Sequence, residues 1–157
     1  MKKFELTTDF IMFMGIKLFR IKALISFGDV EAGDLGGYIK KEENLSQDGN
    51  AWVYGDAKVY GNAEVYGDAK VCGNAKVCGN AEVCGDADYA TITGFGSVNR
   101  TTTFFSQKDG SIGVRCGCFY GTIDEFREKV KKTHSNNKFA KEYLMIADLM
   151  EMHFKED

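Results

Sequence analysis

The feature that most constrains this chain is a run of six consecutive six-residue repeats between Val53 and Asp88. Each repeat begins with Val, carries Gly and then Asp or Asn at its third and fourth positions, and has Ala at its fifth position. Apolar side chains two residues apart, such as Ala57 and Val59, are typical of a strand with one buried face. Because the Gly-Asp or Gly-Asn pair tolerates positive φ, each repeat predicts a short strand followed by a corner.

The repeat resembles that of hexapeptide-repeat proteins with a left-handed parallel β-helix fold, in which three hexads, or 18 residues, form one coil. A weaker register extends upstream to Leu35, so that residues 35–94 would hold ten hexads, or about three coils. The resemblance implies columns of residues 18 apart, with the tyrosines exposed on the outside. The columns are Val53 on Val71 and Tyr89, Val59 on Val77, and Val65 on Val83; the exposed tyrosines are Tyr54, Tyr60 and Tyr66.

The flanking segments are predicted to cap the two open ends of such coils. Residues 1–34 contain strand-like stretches and are interpreted as an N-terminal β cap. Residues 95–157 are interpreted as a C-terminal module that begins with a hairpin. Its turn is predicted at residues 108–111, because Asp-Gly between two strand-like stretches is a strong hairpin signal.

Two helices are predicted to complete the C-terminal module. Thr122 and Glu125 form a capping box at the start of the first helix, and the second helix is expected from about Asn137 to Phe154. An apolar stripe on the second helix predicts packing on the first, with a contact between subunits as the alternative. The predicted fold class is therefore mainly β: a left-handed parallel β-helix with a β N-terminal cap and a C-terminal β-hairpin plus two-helix module.

Segments outside the repeat extend the resemblance. Residues 33–39 and 43–46 resemble a group of hexapeptide-repeat proteins common in bacteriophage genomes and in some bacteria, and residues 117–122 resemble its C-terminal module. Members of this group are commonly labelled transferases because of their repeats, but a shared fold does not determine function. The resemblance also implies a homo-oligomer, with a trimer favoured and a dimer possible.

Charge and hydropathy limit the classes of partner. The 20 basic and 23 acidic residues are well mixed and give a net charge of −3, which argues against binding to duplex nucleic acid. The apolar run Phe10–Met14 is far shorter than the roughly 20 residues of a membrane span, and no cleavage signature follows it. We therefore expect a cytoplasmic protein that does not bind membranes.

Cysteines and histidines point to no metal centre or cofactor. Three of the five cysteines take the place of tyrosine in successive repeats, which is typical of small apolar side chains. Cys116 and Cys118 share a strand face, but a zinc site needs four converging ligands. His134 and His153 both lie outside the repeat. Enzymatic activity therefore stays uncertain and is not favoured; the catalytic candidate, if the protein is an acyltransferase that uses acetyl-coenzyme A, is His134.

The most polar unexplained stretch is Gly94–Thr103, where the repeat ends. Its hydroxyl, amide and guanidinium groups could bind an anion such as a phosphate, although the stretch could equally be a structural transition. The predicted ligand-binding residues are Ser97, Asn99, Arg100, Thr101, Thr102, Thr103, Arg115 and His134. Phe95, Phe104 and Phe119 were the candidates for stacking on a base or for core packing.

The leading hypothesis is a non-catalytic, phage-type binding protein in the host bacterial cytosol. It would sequester a small anionic nucleotide that serves as an immune signal and so counter antiviral defence. The alternatives are an acyltransferase, an inhibitor that binds a host defence protein, and a purely structural module.

Overall fold

The longest strands of this protein lie outside the repeat, and the shortest lie within it. The computed structural model describes residues 1–155, apart from the side chain of Asp86. In that range the strands are β1 (Phe4–Phe13), β2 (Ile16–Ala23), β3 (Leu35–Ile39), β4 (Trp52–Val53), β5 (Lys58–Val59), β6 (Glu64–Val65), β7 (Lys70–Val71), β8 (Lys76–Val77), β9 (Glu82–Val83), β10 (Tyr89–Phe95), β11 (Arg100–Ser106), β12 (Ile112–Cys116) and β13 (Phe119–Thr122), and the α-helices are α1 (Ile123–His134) and α2 (Lys138–Phe154).

These strands form separate sheets, which corrects the predicted fold class. A five-stranded mixed sheet has the order β1-β2-β3-β5-β8, a four-stranded antiparallel sheet comprises β10 to β13, and β4-β7 and β6-β9 are two-stranded. Among residues 1–155 there is no closed or solenoid sheet, so the predicted left-handed parallel β-helix is wrong. The physical reason is that each hexad contributes a strand of only two residues, whereas the longer flanking strands pair antiparallel and build the larger sheets.

The 18-residue spacing predicted for the repeat is confirmed for the valines from Val53 to Val83 but not for Tyr89, which pairs with Phe105 of β11. Strands three hexads apart pair in parallel, and the valine partners are Val53 with Val71, Val59 with Val77, and Val65 with Val83. Each of these valines is buried and joins the larger of two apolar cores, as do Ala57, Ala63, Ala69, Ala75 and Ala81, whereas Ala87 of the last hexad is exposed. The alternation of Ala and Val therefore fills one core.

Upstream of Ala51 the spacing changes from 18 to 20 residues. Ile39 pairs with Val59, and Leu45 pairs with Val65. β3 pairs with β5 on one side and antiparallel with β2 on the other. The N-terminal hairpin therefore pairs with the upstream edge of the repeat sheet.

The sequence predicts that the tyrosines of the repeat are exposed, and for Tyr60 this prediction is wrong. Its side chain is only 8% exposed and lies edge-on against Phe13 of the N-terminal hairpin, with ring centroids 5.6 Å apart. Tyr54 and Tyr66 are half-buried. One face of the repeat is therefore covered within the chain itself.

The C-terminal module agrees with the predicted turn and helices, although its sheet has four strands instead of a hairpin. β11 and β12 pair antiparallel around the turn at residues 107–111. The Thr122 hydroxyl accepts from the Glu125 backbone N–H at the start of α1, and Asn137 caps α2. A second core forms where α1 and α2 pack on this sheet.

The two helices are joined by charge as well as by apolar contact. Arg127 of α1 reaches Asp148 and Glu151 of α2 at 2.9 and 3.2 Å. Neither helix, within the range described above, combines the length and the apolarity that crossing a membrane requires.

Lys3 is a buried cation that ties the N-terminus to the start of the repeat. Its ammonium group donates to the carbonyl oxygens of Asp48, Gly49 and Ala51, the last at 2.8 Å, and the residue is 1% exposed. Burial lowers the pKa of Lys3 to about 8, against a smaller opposing effect of the Asp48 carboxylate.

Replacing Lys3 by Met should lower the free energy of unfolding by about 1–3 kcal/mol, because buried carbonyl oxygens lose their donor. The difference in the free energy of unfolding between wild type and Lys3→Met should grow as the pH rises from about 8 towards 10.5. In that window the unfolded wild-type chain binds more protons than the folded chain, so the wild type gains stability. Urea unfolding of both proteins at several pH values measures this difference.

Lys2→Met is the matched control, because Lys2 is exposed and pairs only with Glu42 at the surface. A loss of stability for Lys2→Met equal to that for Lys3→Met would show that the buried contacts of Lys3 contribute nothing.

Candidate functional site

The predicted ligand-binding residues on β11 and β12 lie on two opposite faces of the C-terminal sheet. Thr102 lies opposite Cys116, and Thr103 lies opposite Arg115. Side chains alternate along a strand. Phe104 accordingly belongs to the helix-side core and Phe105 to the repeat-side core. Thr102 and Cys116 therefore face the helices, whereas Thr103 and Arg115 face the repeat.

A cleft of about 510 Å³ opens on the helix side of this sheet, and we call it the α1 cleft. It lies between α1 and the turns that follow β10 and β12. Its volume is in the range of sites for small molecules. The lining residues are Gly96, Ser97, Arg100, Cys116, Cys118, Phe119, Tyr120, Phe126, Lys129, Val130, Thr133, His134 and Tyr143.

The lining of the α1 cleft is basic. Arg100 and Lys129 carry positive charge, and the lining contains neither Asp nor Glu. Across residues 1–155, neither of these two cations forms an ion pair. Cations without protein counter-charges beside donor hydroxyls, such as that of Ser97, suit an anionic ligand.

A glycine determines where Arg100 lies. Gly117 follows β12 with φ of +60°, and a Cβ atom at this position would collide with Nη1 of Arg100. The guanidinium group therefore packs directly over the backbone of the β12–β13 turn. Only glycine satisfies both the backbone conformation and this close approach.

A chain of polar contacts lies beneath the cleft. The Thr102 hydroxyl donates to Cys116 Sγ at 3.2 Å, and the Tyr143 hydroxyl donates to the Phe95 carbonyl at 3.1 Å. Burial, reinforced by the neighbouring Cys116, raises the pKa of Tyr143 to about 12, so Tyr143 stays a neutral donor at physiological pH. Gly96 approaches this hydroxyl too closely for any side chain.

His134 lies at the last position of α1 and is half-buried. Its ring stacks on Tyr143 at 6.1 Å between centroids and contacts Phe139 at 5.6 Å. A histidine at a helix C-terminus is also favourably placed relative to the helix dipole. His134 therefore forms one end of the cleft.

The other predicted ligand-binding residues lie outside the α1 cleft. Asn99 is exposed in the β10–β11 turn with φ of +52°, and Thr101 shares a hydrogen bond with Thr93. Thr102 and Thr103 are buried, and the Thr103 hydroxyl accepts from the Lys76 backbone N–H. Of the aromatic candidates, Phe119 lines the cleft, Phe104 is fully buried, and Phe95 is half-buried.

Sequence reasoning missed Lys129 and Thr133. Together with Phe126, Val130 and His134 they form one stripe on α1, at spacings of three, one, three and one residues. This is the helical face that the apolar pattern already indicated. Extending the apolar stripe to its polar neighbours would have identified both residues.

Comparison with known proteins does not assign a family to this chain. No model of a protein family matches it, and a search of curated proteins found no match. The arguments for function therefore depend on the residues themselves.

Gly117→Ala should displace the Arg100 guanidinium, because the new Cβ takes its place. It should also cost about 1–2 kcal/mol of stability through the strained left-handed backbone. The position of Arg100 is measured by the chemical shift of its Nε–H in ¹⁵N-labelled protein.

Gly110→Ala is the control, because Gly110 also has positive φ, +86°, but open space around its Cα. It should lose similar stability and leave the Arg100 signal unchanged. Equal Arg100 signals in the two variants would contradict the assigned role of Gly117.

Proposed function

We propose that this protein binds a small anionic, nucleotide-like ligand in the α1 cleft and does not transform it. The observation that carries the proposal is the pair Arg100 and Lys129, which lie in one cleft and form no ion pair with the part of the chain that the structure describes. A phosphate group would supply the missing negative charge and accept charge-assisted hydrogen bonds.

The remaining lining suits the rest of a nucleotide. Ser97 and Thr133 offer hydroxyl groups, while Phe119 and Val130 provide apolar surface. Such a mixture of apolar walls and a few polar groups is common in small-molecule sites. The chemistry of the lining thus favours a ligand that is part anion and part planar ring.

The biological role that we propose follows from binding without turnover. A stoichiometric binder lowers the free concentration of its ligand, and a phage protein in the host bacterial cytosol would in this way remove a nucleotide immune signal. A homo-oligomer, trimeric or dimeric, would present several clefts. Binding to a host defence protein and a purely structural role are the other outcomes.

Isothermal titration against cyclic dinucleotides and ADP-ribose-type nucleotides tests the proposal. At least one nucleotide should bind with one site per chain. Arg100→Gln and Lys129→Gln should each weaken binding by roughly tenfold or more, because a hydrogen bond to a charged group contributes about 1.5–3 kcal/mol.

Lys141→Gln serves as the matched control, since it removes the same charge from the exposed face of α2. It should bind like the wild type. Absence of heat with every nucleotide, or equal weakening by all three variants, would refute a specific site at Arg100 and Lys129.

Acyl transfer is the alternative that the same cleft supports, because His134 lines it together with Ser97 and Thr133. Under our proposal, wild-type protein and His134→Ala should consume acetyl-coenzyme A at the same background rate, measured by thiol release. Turnover that depends on His134 would instead favour the transferase.

A further inference from the structure

A second group of cations lies on the opposite face of the C-terminal sheet, around the tip of the N-terminal hairpin. Lys58 and Lys76 of the repeat and Arg115 of β12 surround the ring of Phe13, and we call these three cations the repeat-side cluster. Lys58 Nζ, Lys76 Nζ and Arg115 Cζ lie 5.6, 5.7 and 6.0 Å from the ring centroid.

The parallel register brings two of these cations together. Lys58 and Lys76 are direct partners in adjacent strands, so their like charges lie side by side. Another pair of like charges, Glu64 and Glu82, arises from the same register. Lys108 pairs with Glu64 at 3.1 Å, and the Tyr66 hydroxyl donates to Glu82 at 2.9 Å.

In the repeat-side cluster, Lys58 Nζ donates to the uncharged backbone carbonyl oxygen of Asp56 at 3.1 Å. Over residues 1–155, no carboxylate forms an ion pair with Lys58, Lys76 or Arg115. Burial lowers the pKa of Lys76, and the positive charges of Lys58, Arg115 and Arg100 lower it further. Positive charges are thus concentrated where solvent screens their mutual repulsion least.

Arg115 adds an unpartnered donor to this charge. The residue is 8% exposed, and its Nε is buried without a hydrogen-bond partner in the described chain. One of its outer nitrogens contacts the thioether sulfur of Met14, which is a weak acceptor and carries no charge. The rings of Phe13 and Tyr60 attract the cation but offer no acceptor for this N–H.

We propose that the repeat-side cluster is a second anion site, specific for a compact oxyanion of the phosphate class. A tetrahedral oxyanion presents several acceptors to the two ammonium groups and the guanidinium at once. This site is separate from the α1 cleft, because alternation along β12 directs Arg115 away from Cys116 and the helices. It does not depend on the function proposed for that cleft.

Titration of the ¹⁵N-labelled full chain with inorganic phosphate, at constant pH and ionic strength against sodium chloride, tests the site. The Arg115 Nε–H resonance, assigned with Arg115→Lys, should shift saturably with phosphate and not with chloride. Lys76→Gln changes only a half-buried side chain and should weaken phosphate binding by about tenfold, the loss of one charge-assisted contact.

Lys129→Gln distinguishes the two sites, because it removes a charge from the α1 cleft and should leave the phosphate response of Arg115 unchanged. Phenyl phosphate distinguishes the source of the anion: tighter binding than inorganic phosphate identifies a phosphate ester, and weaker binding identifies the free ion. A phosphate response that is absent, shared with chloride, or equal in wild type and Lys76→Gln would overturn the proposal.

Discussion

Side-chain alternation along β11 and β12 is the constraint on which both basic sites depend. Because this sheet is covered on both faces, consecutive buried residues of these strands face opposite cores. Phe104 packs with the helices and Phe105 with the repeat. The same alternation places Cys116 at the floor of the α1 cleft and Arg115 on the repeat side. One hairpin therefore contributes residues to two separate sites.

The two sites are also characterised by the counter-charges around their cations. Some cations of the described chain do form ion pairs: Arg127 joins acidic residues of both helices, and Lys108 joins Glu64. A chain with a net charge of −3 does not lack carboxylates, yet the described structure places none against Arg100 or Arg115. Cations kept apart from abundant acids are suited to binding anions from solution.

Part of the candidate site was predictable from local pattern. Ser97, Arg100 and His134 were proposed from their polar surroundings, and the structure brings them to one cleft. Lys129 was missed because a lysine beside an apolar stripe is ordinarily solvated. Arg115 was grouped with Arg100 because both follow the repeat closely, but a difference of one residue in strand register places them on opposite faces.

The sequence by itself determined the hexad strands, the hairpin turn and both helix starts. Each depends on residues close in the chain: a repeated Val, an Asp-Gly pair, and the capping side chains of Thr122 and Asn137. Only the tertiary structure decided the sheet arrangement, the burial of Tyr60 and the location of Arg115. These depend on which long strands find one another across the chain, and local patterns of six residues carry no information about that choice.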